Sequence, residues 1–318
     1  TSGGADGRTA VCGVKAAQAV QMDGGMLIVN SSGDGIHSSG TFTADGGEFS
    51  ITSGDDAVHA DGDITMNDGV GMIIKSYEGI EGRNITINGG TWQVHAGDDG
   101  VNASGDGSDE DLIPGGPPQG APAPANAPEG EPGRETPADI PPEPADGFHG
   151  GMQKESGNAR ILMTGGQVYV TANGDGIDSN GSIEMTGGTL YVDGPTDDGN
   201  GTIDYDTEFT VKSGRFAASG SSGMAQTATS SEHGVLAVYF SVTQSADTKI
   251  ALKDADGKKV FEYAPSKQFR FITMGSDDIT DGTYTLCANG SELCTVEISG
   301  ITGITDKGES VSANTPRR

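Results

Sequence analysis

The sequence predicts an all-β protein: a right-handed parallel β-helix with coils of about 22 residues, followed by a small C-terminal antiparallel β domain. Three observations carry this. A Gly-Gly or Asp-Gly doublet recurs at a nearly constant step, short apolar/polar alternations follow each doublet, and an acidic Gly-Asp turn recurs in phase with both. The second glycines are Gly25, Gly47, Gly69 and Gly90, with steps of 22, 22 and 21. The series resumes at Gly166 and Gly188, again 22 apart, and at Gly214 after 26. Glycine supplies 53 of 318 residues and hydrophobic residues only 33%. Without a period that composition would indicate disorder; at fixed positions it indicates a turn-rich β architecture.

Each repeat contains two recognisable strands. The first follows the doublet and holds Leu27/Val29, Phe49/Ile51, Trp92/Val94, Val168/Val170 and Leu190/Val192 at alternate positions. The second follows the acidic turn and holds Phe42, Ile64/Met66, Ile85/Ile87 and Ile183/Met185. Period-2 alternation puts these side chains on one face and Thr, Ser, Glu and Gln on the other. One repeat cannot bury its own apolar face, whereas stacked coils give every inward side chain a like neighbour about 4.8 Å above and below. Trp92 falls in an inward column and is read as core, not as a sugar platform. The period near 22 argues against a calcium β-roll of nonapeptides, since it gives roughly three short faces per coil.

The β-helix is expected over residues 1–232. A Pro/Gly-rich insertion at 106–158 interrupts it, since prolines such as Pro117, Pro118, Pro141 and Pro142 cannot supply ladder strands. Residues 233–302 are expected as antiparallel strands, with Asp254-Ala255-Asp256-Gly257 as a turn, and they would cover the open C-terminal end of the helix. Residues 303–318 are expected as a tail.

The formal charge is −28, from 46 acidic and 18 basic side chains. So acidic a chain repels nucleic acid and anionic membrane surfaces. No stretch approaches the roughly 18 apolar residues of a membrane-spanning helix, so no membrane insertion is expected. The acids are concentrated in the repeated turns. Asp34, Asp56, Glu78, Asp99, Asp175 and Asp198 align as one column; Asp55, Asp98 and Asp197 precede it, and His37, His59, Glu81, Asn102 and Asp178 follow three residues later. Stacked carboxylates about 5 Å apart repel one another unless a cation neutralises them. Ca²⁺ suits such a column because it takes six to eight hard oxygens at about 2.3–2.6 Å, carbonyls included. An isolated Gly-Asp turn would be explained by capping of backbone amides; six in register favour calcium.

His37 and His59 lie in adjacent coils. With no cysteine ligand in view and oxygen-rich surroundings, they are expected to form a polar surface stack and not a zinc site. Cys12 is expected to be a small buried hydrophobe. Cys287 and Cys294 flank a turn, and the spacing allows either a cross-strand disulfide or two facing thiols. Tyr169 and Tyr191 are both outward and one coil apart, which fits either a sugar-stacking platform or a cross-strand packing pair.

Several of these stretches resemble a bacterial carbohydrate-binding β-helix family typified by a clostridial protein that binds cellulose and acidic sugars. The residues that carry the resemblance are Lys75-Ser76-Tyr77-Glu78-Gly79-Ile80-Glu81-Gly82, the turns 54–62 and 98–103, the stretch 194–206, and Ser219-Gly220-Ser221-Ser222-Gly223-Met224-Ala225-Gln226. The similarity runs over nearly all of residues 10–300. It implies a secreted or cell-surface β-helix of pectate-lyase-like shape that contains calcium and binds glycans without cleaving them. It also implies calcium ligation at Asp55, Asp56, Glu78, Glu81, Asp98 and Asp99, and Asp204 in the matching 194–206 stretch joins the candidate ligands. The cysteine pair departs from the family pattern.

The expected function is therefore a secreted, calcium-binding, non-catalytic protein that recognises plant cell-wall type polysaccharides such as cellulose or polyuronates. No signal peptide is in view and the first residue is Thr1, so a mature or trimmed form is expected, and export is inferred and not read from the sequence. The alternatives are a calcium-dependent polysaccharide lyase, with Lys75 or Arg83 as the base, and a structural or adhesive surface protein. An open first coil at residues 11–16 would offer an edge for self-association.

Overall fold

In the computed structural model, residues 10–105 and 157–314 are described. They contain strands and turns and no helix, hence none long and apolar enough to cross a membrane. The chain is a parallel β-solenoid in which each coil contributes one strand to each of three sheets. The first coil runs through Val14–Ala16, Ala19–Met22 and Met26–Asn30, and the second through Ile36–Ser38, Thr41–Ala44 and Glu48–Thr52. We call the three faces sheets A, B and C. Among the described residues they hold seven parallel strands in A, eight in B and seven in the solenoid part of C.

The doublet glycines build one corner. Gly25, Gly47, Gly69, Gly90, Gly166, Gly188 and Gly214 all have φ between 78° and 125°, the left-handed region that a Cβ penalises. The stack is also tight: a Cβ on Gly90 would lie 2.6 Å from the Gly69 carbonyl oxygen. The doublet is thus the price-free way to turn sheet B into sheet C once per coil.

Inward columns run the length of the solenoid. In sheet B, Phe42, Ile64, Ile85, Ile161, Ile183 and Phe209 stack in register. In sheet C, Phe49, Gly71, Trp92, Val168, Leu190 and Phe216 do the same. All of these apolar side chains join one continuous core. Trp92 is 3% exposed, as its inward position required. Gly71 makes room for it, because a Cβ there would meet the indole at 2.1 Å.

The expected insertion 106–158 lies almost wholly outside the described residues. The chain leaves sheet A after Val101–Ala103 and re-enters sheet B at Ala159–Met163, so the interruption falls inside a coil and not between two coils.

Beyond residue 233 the strands divide between two sheets. Phe269–Ser276 pairs antiparallel with Arg215–Gly220, and Val235–Gln244, Ile301–Thr305 and Ser310–Val311 follow outward, extending sheet C. Val235–Gln244 and Ile301–Thr305 are parallel neighbours, and the segment expected as a tail supplies two of these strands. The remaining strands, Ile250–Lys253, Lys259–Tyr263, Gly282–Ala288 and Ser291–Ile298, form antiparallel sheet D. Leu236, Val238, Ile272 and Met274 of sheet C share a second core with Ile250, Phe261, Leu286 and Ile298 of sheet D.

Cys287 and Cys294 are both free thiols, so the disulfide alternative is overturned. The hairpin turns at Asn289-Gly290, both with positive φ, and pairs Ala288 with Ser291. A bulge then shifts the register, placing Cys287 opposite Glu292 and Cys294 opposite Leu286. Successive residues of a strand face opposite ways, so Cys287 and Cys294 occupy different faces of sheet D.

Candidate functional site

The outward side of sheet A carries two adjacent columns. One is Lys15, His37, His59, Glu81, Asn102, Asp178 and Asp204, aligned rung by rung in the parallel ladder. The other lies three residues earlier in the turn that precedes each strand. There the amides of Gly13, Gly35, Ala57, Gly79, Gly100 and Gly176 donate to the carbonyls of Asp34, Asp56, Glu78, Asp99, Asp175 and Gly201. The same turn thus stacks Cys12, Asp34, Asp56, Glu78, Asp99, Asp175 and Gly201. Both columns project outward because Ile36, Val58, Ile80, Val101, Ile177 and Ile203 take the inward positions between them.

Two assignments change. Asp198 stands off the column, which Gly201 occupies, because the turn after Asp193 is longer than in the other coils. Asp198 is exposed and accepts from the Ser221 hydroxyl, while Asp197 caps the Gly199 amide at 3.0 Å. Cys12, expected to be a buried hydrophobe, is half-buried and occupies the first rung of the turn column, with Sγ 3.5 Å from Asp34 Oδ2. Its position 22 residues before Asp34 was the available signal.

The N-terminal rungs contain nitrogen. The His37 and His59 rings stack at 5.0 Å with 4° between their planes, the polar stack that was expected. His37 Nδ1 lies 2.8 Å from Asp34 Oδ2. His59 Nδ1 lies 3.0 Å from Asp56 Oδ2 and 2.6 Å from Glu81 Oε2, and its Nε2 lies 3.0 Å from Asp61. Hydrogen bonds to Asp56 and then Glu81 push the imidazole pKa up to about 11. His59 is therefore an imidazolium at neutral pH, a cation supplied by the chain itself. Burial raises Asp56 to about 6, against the pull of the His59 hydrogen bond. Burial acts the same way on Glu81, but contact with His59 outweighs it and leaves that carboxyl below its ordinary value.

From Glu78 onward the rungs offer only oxygen and amide donors. Asp99, Asp175 and Asp178 each place a carboxylate oxygen within 4.8 Å of the others. The Asp175 amide donates to Asp99 Oδ1 at 2.6 Å, and the Gly201 amide donates to Asp175 Oδ1. Burial raises Glu78 to about 8, with the charges of Glu81 and Asp56 adding to it. Burial likewise raises Asp99 to about 6 and Asp175 to about 7, in each case over a backbone hydrogen bond that works the other way. Asn102 Nδ2 donates to Glu78 Oε2 at 3.3 Å, while Asn102 Oδ1 is buried with no donor among the described residues. A buried acceptor without a donor, set among carboxylates that resist ionisation, is an environment a cation would satisfy. Asp55 joins Asp34 and Asp56 in a further cluster, and Asp98 accepts from the Tyr77 hydroxyl. Asp204 ends the column, its Oδ1 taken by Gln226 at 2.8 Å.

Of the two outward tyrosines, Tyr191 has partners beyond the pair. Tyr169 and Tyr191 are neighbours at 5.7 Å, but Tyr191 also stacks on Tyr263 of sheet D at 4.6 Å, and its hydroxyl accepts from Arg215. Tyr191 is thus part of the contact between sheets C and D. Beside it, Asp193 is 5% exposed and accepts from Tyr263, from the amide and hydroxyl of Ser266, and from Ser219. Of the two candidate bases, Lys75 is exposed and Arg83 pairs with Asp63 at 3.1 Å.

Residues 8–109, about a third of the chain, match a family model described as a carbohydrate-binding domain-containing protein. No curated protein and no solved structure matches the chain. The matched segment spans the first four coils and enters the fifth, and so takes in the rungs from Cys12 to Asn102.

Proposed function

We propose that this chain is a secreted, calcium-binding, non-catalytic carbohydrate-binding protein, and that its ligands are plant cell-wall type polysaccharides, cellulose or polyuronates. The match of residues 8–109 to a carbohydrate-binding family carries the glycan part of this reading. The oxygen-only rungs support the calcium part. Asp99, Asp175 and Asp178, with Asn102 Oδ1 beside them, would hold Ca²⁺, which would supply the positive charge that the raised carboxyl pKa values call for. All four residues are only half-buried, so an ion among them would remain open to solvent. An ion so exposed can bridge to the carboxylate of a uronate, which a protein of formal charge −28 would otherwise repel.

The test is retention of the full chain on insoluble cellulose and on covalently cross-linked pectate, each with Ca²⁺ and with chelator. Retention on at least one matrix is expected, and pectate retention is expected to vanish in chelator. Absence of retention on both matrices in both conditions would overturn the reading. The same incubations, followed for the ultraviolet absorbance of unsaturated uronates, are expected to stay flat; a steady rise would make the protein a lyase.

A further inference from the structure

We propose a second metal site, for Zn²⁺, at the N-terminal end of the acidic column, formed by Cys12, Asp34 and His37. Three different donors converge there. Cys12 Sγ lies 3.5 Å from Asp34 Oδ2, His37 Nδ1 lies 2.8 Å from the same oxygen, and all three ligand atoms fall within 4.8 Å of one another. Ligands about 2.0–2.3 Å from a tetrahedral zinc stand about 3.5 Å apart. The sulfur–oxygen distance already meets that separation. The imidazole–carboxylate distance, now a hydrogen bond, has to open by less than about 1 Å.

The donor chemistry separates this site from the rest of the column. A thiolate and an imidazole are poor partners for Ca²⁺ and good ones for zinc, whereas the oxygen-only rungs from Glu78 to Asp178 have the opposite preference. Position reinforces the division. The His37 ring is held by stacking on His59, and His59 is itself pinned by Asp56 and Glu81. The ring plane is therefore set before any ion arrives, with Nδ1 turned toward Asp34. Asp55 shares a 4.8 Å cluster with Asp34 and is at hand for the fourth coordination position. Binding forms a Zn–S bond and releases the Cys12 thiol proton to solvent; the Nδ1–H···Asp34 hydrogen bond breaks, and the imidazole shifts to its Nε2–H tautomer so that the Nδ1 lone pair ligates the ion.

Cobalt titration of the full chain tests the site, because a thiolate bound to Co²⁺ gives a charge-transfer band in the near ultraviolet. The band is expected in the wild type, in Asp175→Asn and in Cys294→Ser, and is expected to be absent in Cys12→Ser. Zinc competition should erase it. In Cys12→Ser and in His37→Gln, zinc affinity measured by calorimetry should fall by more than the roughly 10–100-fold that loss of an outer-shell partner costs. Far-ultraviolet circular dichroism on each variant confirms that the solenoid is intact. Absence of the band in the wild type, its survival in Cys12→Ser, or its loss in Cys294→Ser would each overturn the proposal. None of these outcomes depends on glycan binding.

Discussion

Replacing Asp175 by Asn should stabilise the protein in the absence of calcium and destabilise it in its presence. The Asp175 carboxyl has a pKa of about 7 in the folded chain against an ordinary value of 3.8. It is thus harder to ionise when folded, and folding is penalised progressively as pH rises from about 4 to 7, with the full penalty above 7. A shift of about three units corresponds to about 4 kcal/mol, and solvent access to this half-buried group reduces that to about 2 kcal/mol. Asn keeps an oxygen for the Gly201 amide and carries no charge. In chelator at pH 8 the variant should therefore be more stable by about 2 kcal/mol, and the gain should shrink toward zero near pH 4. Calcium reverses the order. An ion present at 100 times its Kd stabilises the wild type by about 2.7 kcal/mol, slightly more than the charge penalty it removes, and the variant loses most of that gain. Urea unfolding is the assay, followed through Trp92, the single tryptophan, which lies in the solenoid core. A variant less stable than the wild type in chelator at pH 8, or a wild type unmoved by calcium, would refute the reasoning.

Two further outcomes probe the frame that holds the column. Gly166 has φ of 78°, and a Cβ there would sit 2.7 Å from the Gly89 carbonyl oxygen, so Gly166→Ala should cost more than the about 1–2 kcal/mol of a left-handed residue. Gly24→Ala, where a Cβ meets nothing within 4 Å, is the matched control and should be close to neutral in the same denaturation assay. Asp193→Ala strips a buried acceptor from Tyr263, Ser266 and Ser219 and should cost about 3 kcal/mol or more. It should also expose sheet D to limited proteolysis before the solenoid is cut.

The parts of this fold that repeat were legible from residue order alone, and the parts that do not repeat were not. The doublet glycines mark a corner whose backbone conformation only glycine adopts freely, so their spacing was the coil length. The inward columns followed from alternation, and Trp92 could be assigned to the core for that reason. Errors in the acidic column arose where spacing changed or chemistry did. Asp198 was aligned by its residue type, but the longer turn after Asp193 hands that place to Gly201. Cys12 stands in a repeat position 22 residues before Asp34, but a lone thiol there reads as a small hydrophobe until the stacked turn sets its Sγ beside the Asp34 carboxylate. Past residue 233 each contact is made once. The outward direction of Tyr191 could be read from alternation, but its partner Tyr263 lies 72 positions away on another sheet. In the last hairpin the Asn289-Gly290 turn was visible in the sequence, while the bulge that separates Cys287 from Cys294 was not.

The two metal readings rest on one electrostatic requirement, met differently along the column. Carboxylates one coil apart, about 4.8 Å, repel by about 3.5 kcal/mol at an effective dielectric of about 20. At the third rung the chain meets that cost internally: His59, held as an imidazolium, touches Asp56, Glu81 and Asp61 at once. Among the described residues no such cation acts on Asp99 or Asp175, and their carboxyls respond by resisting ionisation. On the other side of His59, Asp34 faces a thiol and an imidazole, a set that calls for a softer ion. His59 thus divides the column into two halves with different metal preferences. Converting it to Gln should remove the internal counter-charge and extend calcium sensitivity to Asp56 and Glu81, while the Co²⁺ band at Cys12 persists.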